Sequence, residues 1–457
     1  LTAFALLVRL NRYWLDSETI ITARRSKLIV QKRLKPSIFR LPIEKIRAGY
    51  KSDKYFTRTS MVLRSDGHRS RVTIQVFQKE KTATVCGVDH ALAILHAGTG
   101  YYGDPKQAHR LFATYLRLER EAYRLWLKLR QLEWTEYEKV ARQVFDVSQE
   151  LDRLWVNCFQ DLTIRALYDG ERAGAREPVL EIEGDLSTFA HLETLYCGSL
   201  TDGTMVASNA VDVVEAAGDK PILMFGARHQ SHESQAGSGY AAYIAGAHGV
   251  STDEQGEFWG SRGLGTIPHA LIAAYGGDTV RATLKFAEYI DPDVNVISLV
   301  DFDNDSVNTS LAVAHALGGR LWGVRLDTAE TVVDKAVFDA IQSREYPSEE
   351  RPTGVNEMLV HKVRQALDRE GFPEVKIVVS GGFDREKIER FERQGVPVDA
   401  YGVGSALYRR KGGRFEYTAD VVRVFRNGTW NDTAKVGRQY KPSGNLHPVN
   451  LEDLLDF

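Results

Sequence analysis

The sequence predicts an α/β protein: an irregular parallel α/β barrel joined to an α+β N-terminal domain that carries a long helical tract. Three observations predict it. Between about 195 and 410, short apolar runs (221–225, 294–300, 320–325, Lys376–Val379 and 398–403) alternate with amphipathic helices such as 311–317 and 385–394. Runs too short for helices, alternating with helices across Gly-rich links, are the pattern of βαβ units. Two of those links, Val379-Ser380-Gly381-Gly382 and Tyr401-Gly402-Val403-Gly404-Ser405, are Gly turns one βα unit apart, the spacing of a phosphate site after the last two barrel strands. Upstream, Arg71–Gln78 alternates apolar and polar residues, which predicts a half-buried strand.

In chain order, residues 1–40 are basic and irregular (Arg24, Arg25, Lys27, Lys32, Arg33, Lys35) and read as a solvated, poorly ordered extension. The apolar patch at Leu1-Thr2-Ala3-Phe4-Ala5-Leu6-Leu7-Val8 lacks a basic flank and a cleavage site, so no signal peptide is expected. A chain that begins with Leu reads as a truncated or mis-started frame. Residues 41–194 form the N-terminal domain, with the strand Arg71–Gln78, a short helix over 87–96 and a helical tract over roughly 106–169. In that tract Leu111, Tyr115, Leu118, Ala122, Leu125 and Leu129 recur at spacings of three and four, giving one apolar face. The barrel occupies 195–410. Residues 411–457, with short strands and Asn/Gly turns, are expected to pack back on the N-terminal domain.

The bulk numbers bound the function. The chain has 457 residues, 43% hydrophobic and 26% charged, as a soluble globular protein of two or three domains has. A net charge of −2 gives no field for nucleic acid or membrane, and neither is expected as a partner. An anionic substrate must then be held by local positive charge and backbone N–H groups. Cys86, Cys158 and Cys197 are odd in number and form no Cys-X-X-Cys, so neither a disulfide framework nor a zinc ribbon is expected and a cytoplasmic location is. No apolar run reaches the roughly 20 residues of a membrane span.

The residues that carry chemistry sit at predicted strand ends. At Ser380-Gly381-Gly382 and Gly402-Val403-Gly404-Ser405, glycine lets backbone N–H groups approach a phosphate, and the following helix N-terminus adds positive charge. Asp301-Phe302-Asp303-Asn304-Asp305 follows the 294–300 run. It lacks the Gly and Glu of an EF-hand, with Ser306 and Ala312 in their places. Its carboxylates suit Mg²⁺-diphosphate or ribose hydroxyls, with a solvated helix cap as the alternative. Arg325-Leu326-Asp327 offers a guanidinium for phosphate beside a carboxylate for sugar, or a structural ion pair. Phe225-Gly226-Ala227-Arg228 places an aromatic ring beside a cation. His229, His232 and Glu233 nearby lack metal-ligand spacing and read as a polar rim loop. His269, in Gly265-Thr266-Ile267-Pro268-His269-Ala270-Leu271, is presented at a rim and can shuttle protons or take a phosphoryl group.

Together these segments resemble the nicotinate phosphoribosyltransferase family of the type II phosphoribosyltransferases. The resemblance also rests on Gly49-Tyr50-Lys51-Ser52-Asp53-Lys54-Tyr55-Phe56, on Gln75-Val76-Phe77-Gln78-Lys79 and on Arg325-Leu326-Asp327-Thr328. It covers about 41 to 410. It implies pentosyl transfer: nicotinate and phosphoribosyl pyrophosphate give nicotinate mononucleotide and diphosphate, with ATP as co-substrate and Mg²⁺ as cofactor. By position, His269 would be the transiently phosphorylated histidine. Phe225 would stack on the pyridine, with Tyr55 of a neighbouring subunit on its other face, making a homodimer with shared sites. Arg228 would pair with a carboxylate or phosphate. Asp301, Arg325 and Asp327 would hold diphosphate, Mg²⁺ and ribose, with Asp303 a second metal contact. Ser380, Gly381, Gly382, Gly402, Gly404 and Ser405 would cradle the 5′-phosphate. Ser251 falls where nicotinamide-using relatives carry an aspartate, which favours nicotinate. The polar segment 253–262 fits no part of the pattern. The alternatives are a nicotinamide or quinolinate phosphoribosyltransferase, or an inactive nicotinate-binding sensor. A type I enzyme would need Thr-X-Gly-Gly-Thr after Asp301, which is missing.

Overall fold

The computed structural model describes residues 32–79, 82–128, 134–347, 351–410 and 415–454. Most of the expected extension, up to residue 31, lies outside them.

In the first part of the chain the main elements are helix α1 (Lys54–Ser65), strand β1 (Arg71–Gln78), helices α2 (Val88–Gly98), α3 (Pro105–Leu127) and α4 (Trp134–Leu154), and strands β2 (Thr163–Ala166) and β3 (Pro178–Asp185). The second part opens with the long helix α5 (Glu193–Ala217). It then runs β4 (Ile222–Met224), α6 (Gln235–Ile244), β5 (Gly249–Val250), α7 (His269–Ala274), α8 (Thr279–Tyr289), β6 (Val296–Leu299) and α9 (Ser306–Leu317). It continues through β7 (Leu321–Leu326), α10 (Lys335–Gln342), α11 (Glu357–Arg369), β8 (Lys376–Val379), α12 (Arg385–Arg393) and β9 (Ala400–Val403). Strands β10 (Tyr417–Arg426), β11 (Thr429–Asp432) and β12 (His447–Pro448) close the chain.

The second part is a curled parallel sheet in the order β6-β7-β8-β9-β4-β5. Its strands are apolar on both faces, as parallel strands covered by helices must be. The curl brings the sheet edges together through residues 263–267. Leu264 N–H donates to Val250 O on β5 (2.6 Å), and Ile267 N–H donates to Ile297 O on β6 (3.1 Å).

The first part holds an antiparallel sheet, β11-β10-β1-β3-β2-β12, so three strands from the end of the chain are hydrogen-bonded into it. Here β1 differs from the half-buried strand expected. It lies between β10 and β3, and Val72 to Gln78 are all buried. Its polar side chains are satisfied there: Thr73 donates to Glu183 (3.2 Å) and Gln75 to Glu181 (2.8 Å) and the Lys441 carbonyl (2.8 Å).

The helical tract also ends earlier than expected. It is two packed helices, α3 and α4, and stops at Leu154. Asn157 accepts from Phe159 N–H (2.8 Å) and turns the chain, after which Thr163 and Ile164 enter the sheet. The described part of the basic extension is docked. Arg33 meets the buried carboxylate of Asp89 (3.0 Å), and Phe39 stacks on His90 at 4.7 Å. A buried carboxylate needs such a partner. The polar segment 253–262 is a brace: Phe258 meets Phe39 edge-on at 5.3 Å, Trp259 stacks on Tyr243 at 4.6 Å, and Glu257 pairs with Arg40. Among the described residues no helix is long and apolar enough to cross a membrane. Cys86, Cys158 and Cys197 are unpaired.

Candidate active site

Register builds the site. Strands β7 and β8 pair Leu326 with Val379, and β8 and β9 pair Val379 with Tyr401. One step further on, Asp327, Ser380 and Gly402 stand side by side. Strands β9 and β4 pair Val403 with Met224, and Phe225 N–H donates to Val403 O (2.7 Å), which sets Phe225 beside Gly404. Asp327, Ser380, Phe225 and Gly404 follow the C-terminal ends of their strands and Gly402 is the penultimate residue of β9, so all lie at the end of the sheet where barrel sites form.

Arg325 ties them together. Its Nε donates to Ser380 Oγ (2.8 Å), its Nη1 donates to Thr266 Oγ1 (3.0 Å), and its Nη2 lies 3.2 Å from Asp327 Oδ2. Its Cζ stands 4.8 Å from the centre of the Phe225 ring. Ser380 Oγ donates to Asp327 Oδ1 (2.6 Å), closing the network. The Phe225 ring lies against Gly402, where a Cβ would come within 2.6 Å of ring carbons.

The two Gly turns share a feature that sequence alone does not give. The N–H groups of Gly381, Gly382 and Phe383, and those of Gly404, Ser405 and Ala406, donate to no acceptor among the described residues. Runs of unpaired N–H groups form an anion-binding concavity. Gly381 and Gly382 have φ of 84° and 74°, a left-handed pair that only glycine adopts without strain. The helix after the first turn is capped by Asp384, whose Oδ1 accepts from Lys387 N–H. After the second turn comes only a short 3₁₀ turn, Ser405–Tyr408. The unpaired donors therefore lie on the backbone turns rather than at the first turn of a long helix.

His269 opens α7 after Pro268, and its side chain is 46% exposed while that of Asp301 is 5% exposed. His269 Nε2 lies 3.2 and 3.3 Å from the two Asp301 oxygens. Burial raises the Asp301 pKa above the usual carboxylate range, His269 opposes that, and the Asp327 charge adds to it.

The other residues expected at the site are placed differently. Arg228 and Asp303 are exposed and have no ion-pair or hydrogen-bond partner among the described residues. Ser251 is turned to the brace, its N–H and Oγ both 3.1 Å from Gln255 Oε1, and it makes no contact with the Arg325 network. Tyr55 is 61% exposed on α1, with its hydroxyl 3.4 Å from Asp53. Among the described residues no group of three His, Cys, Asp or Glu side chains converges on a metal position. Two neighbours escaped sequence reasoning. Thr266 holds Arg325, and Glu330 sits where a Cβ on Gly382 would fall. Thr266 belongs to the singled-out stretch 265–271, where no role was given to it, and Glu330 lies two residues past Thr328, but only the folded strand ends show what each faces.

No family model matches the chain. It is 30% identical over 277 residues to nicotinate phosphoribosyltransferase pncB1 of Mycobacterium tuberculosis, covering 58% of this chain and 55% of that one. It is 27% identical over 246 residues to nicotinate phosphoribosyltransferase of Bacillus subtilis, covering 53% and 45%. The matches span about half the length of these relatives. Among solved structures, nicotinate-nucleotide pyrophosphorylase from Pyrococcus furiosus superposes with a TM-score of 0.63 at 28% identity, over 89% of this chain and 84% of that one. Human nicotinic acid phosphoribosyltransferase superposes with a TM-score of 0.54 at 19% identity, over 82% and 74%. The second likeness is one of fold.

Proposed function

We propose that this chain, related in sequence to the nicotinate phosphoribosyltransferases, joins nicotinate to the phosphoribosyl group of phosphoribosyl pyrophosphate. Nicotinate mononucleotide and diphosphate are formed, a step of NAD biosynthesis. The observation that carries the reading is the Arg325 network. One guanidinium links an aromatic ring, a carboxylate and a Gly turn with unpaired N–H groups.

In this reading the pyridine nitrogen attacks the anomeric carbon as the bond to diphosphate breaks. The transition state is oxocarbenium-like, so the chain acts by alignment and by stabilising separated charge. Phe225 positions the ring and Arg228 meets its carboxylate. The Gly turns hold the 5′-phosphate, and Arg325 and Asp327 hold the diphosphate and ribose. Mg²⁺ would be held with the diphosphate through Asp301 and Asp303 and would neutralise the leaving charge.

ATP coupling runs through His269. Asp301 engages Nε2 and leaves Nδ1 to attack the γ-phosphorus of ATP, forming a P–N bond as the bond to ADP breaks. Tyr55 closes the ring pocket of a second copy. Unpaired cysteines support a reducing, cytoplasmic setting.

The test is product formation from phosphoribosyl pyrophosphate and Mg²⁺ with nicotinate, nicotinamide or quinolinate, each with and without ATP. Nicotinate mononucleotide formed faster with ATP is expected. Turnover of another base corrects the substrate, and binding of nicotinate without turnover of any base leaves a sensor.

A further inference from the structure

Lys387 has no part in the chemistry above, yet it stands directly behind the first Gly turn. It lies on α12, and its Nζ is 3.4 Å from the Gly381 carbonyl oxygen, 4.2 Å from the centre of the Phe383 ring and 5.9 Å from that of Phe391. That carbonyl is its hydrogen-bond acceptor, and no other is found among the described residues. The charges around it are the carboxylates of Glu330, Glu357 and Asp384 and the guanidinium of Arg390. Burial first, and Arg390 after it, lower its pKa to about 8 against the opposing carboxylates. The half-buried ammonium therefore meets one backbone oxygen on one side and the Phe383 ring on the other.

The consequence follows from peptide geometry. A trans peptide is planar, so its C=O and the next N–H point in opposite directions. Holding the Gly381 carbonyl toward Lys387 turns the Gly382 N–H away from Lys387 and Phe383. Among the described residues the groups of this peptide make no other hydrogen bond, and it joins two glycines whose backbones can rotate widely. The Gly382 N–H itself meets no protein acceptor.

We propose that Lys387 is a positioning residue that pins the Gly381 carbonyl and so aims the Gly382 N–H at a substrate phosphate. The proposal rests on the reading of Ser380-Gly381-Gly382 as a phosphate turn. Lys387 does not touch the substrate. It keeps the turn in the one peptide orientation that presents a donor.

The experiment measures phosphoribosyl pyrophosphate binding by calorimetry, and its KM at saturating nicotinate, for the wild type, Lys387→Met and Lys387→Arg. The Met variant should weaken binding and raise this KM about tenfold, with kcat within about twofold and KM for nicotinate unchanged. The Arg variant, which keeps a cationic donor, should recover most of the loss. Equal binding by the wild type and a folded Met variant overturns the proposal. Failure of the wild type to bind phosphoribosyl pyrophosphate overturns the phosphate reading instead. Should the Met variant not fold, Lys387→Gln, whose amide is too short to span the same gap, carries the same comparison.

Discussion

Arg325 is the residue on which the site turns, and its geometry says why lysine cannot replace it. Its nitrogens reach Ser380, Thr266 and Asp327 at once while its carbon faces the Phe225 ring. An ammonium is a point charge and cannot serve several partners set in one plane. Arg325→Lys should keep the fold and lower kcat/KM about 100-fold, as read by steady-state assay with a thermal melt as control. The His269–Asp301 pair gives a second outcome. Asp301→Asn keeps the shape but removes the charge facing Nε2, so it should abolish the ATP stimulation and also lower basal turnover through its hold on Mg²⁺. Phosphohistidine detection on the wild type and the variant checks this. The sequence pointed to Arg325, Asp327 and Phe225 because residues after apolar runs fall at strand ends. It passed over Thr266, whose role depends on residues 263–267 bridging the sheet edges, a pairing that no local pattern encodes. Ser251 came in by resemblance alone, and the fold spends its hydrogen bonds on Gln255.

At the scale of elements, the barrel strands were legible and the N-terminal ones less so, for a physical reason. Parallel strands covered on both sides are uniformly apolar, and short apolar runs stand out. Strand β1 alternates, yet both its faces are buried, because Glu181 and Glu183 on β3 satisfy its polar side. Alternation reports side-chain polarity, not exposure. Close packing at β9 supports a further prediction. A methyl at Gly402 would press into Phe225 and Ser380, at 2.6 and 3.2 Å. Gly402→Ala should therefore weaken nicotinate binding about tenfold or more while the melt moves little, since displacing an exposed-edge ring is cheaper than opening the core. Helix α2 offers a stability test. The buried carboxylate of Asp169 accepts from Val88 N–H (2.8 Å) at its start. Burial and the neighbouring Asp89 push the Asp169 pKa up to about 8, against the pull of Arg33. A raised folded pKa means this site favours folding most at low pH, and that contribution is lost as pH rises toward 8. Asp169→Asn keeps the acceptor and removes the titration. Its melting temperature should gain on the wild type by a few degrees between pH 5 and pH 8; a constant difference would show that Asp169 does not titrate there.

At the scale of the molecule, what matters is a face that the single chain leaves open. Helix α1 buries none of its residues, and Tyr55, Met61 and Val62 on it are 61%, 61% and 60% exposed. Exposed apolar residues grouped on one helix suit an interaction surface. In the proposed function that surface meets a second copy, with Tyr55 closing the pocket opened by Phe225. Two variants decide it, Tyr55→Ala and Arg325→Ala, each expected to be nearly inactive alone. When they are unfolded together and refolded as a mixture, chains pair at random, and half of the dimers carry one of each. If Tyr55 serves the other copy's barrel, a mixed dimer has one site with both lesions and one with neither, and about a quarter of wild-type activity returns. If Tyr55 serves its own barrel, every site keeps one lesion and the mixture stays inactive. The assay thus reads, from rate alone, whether the catalytic unit is one chain or two.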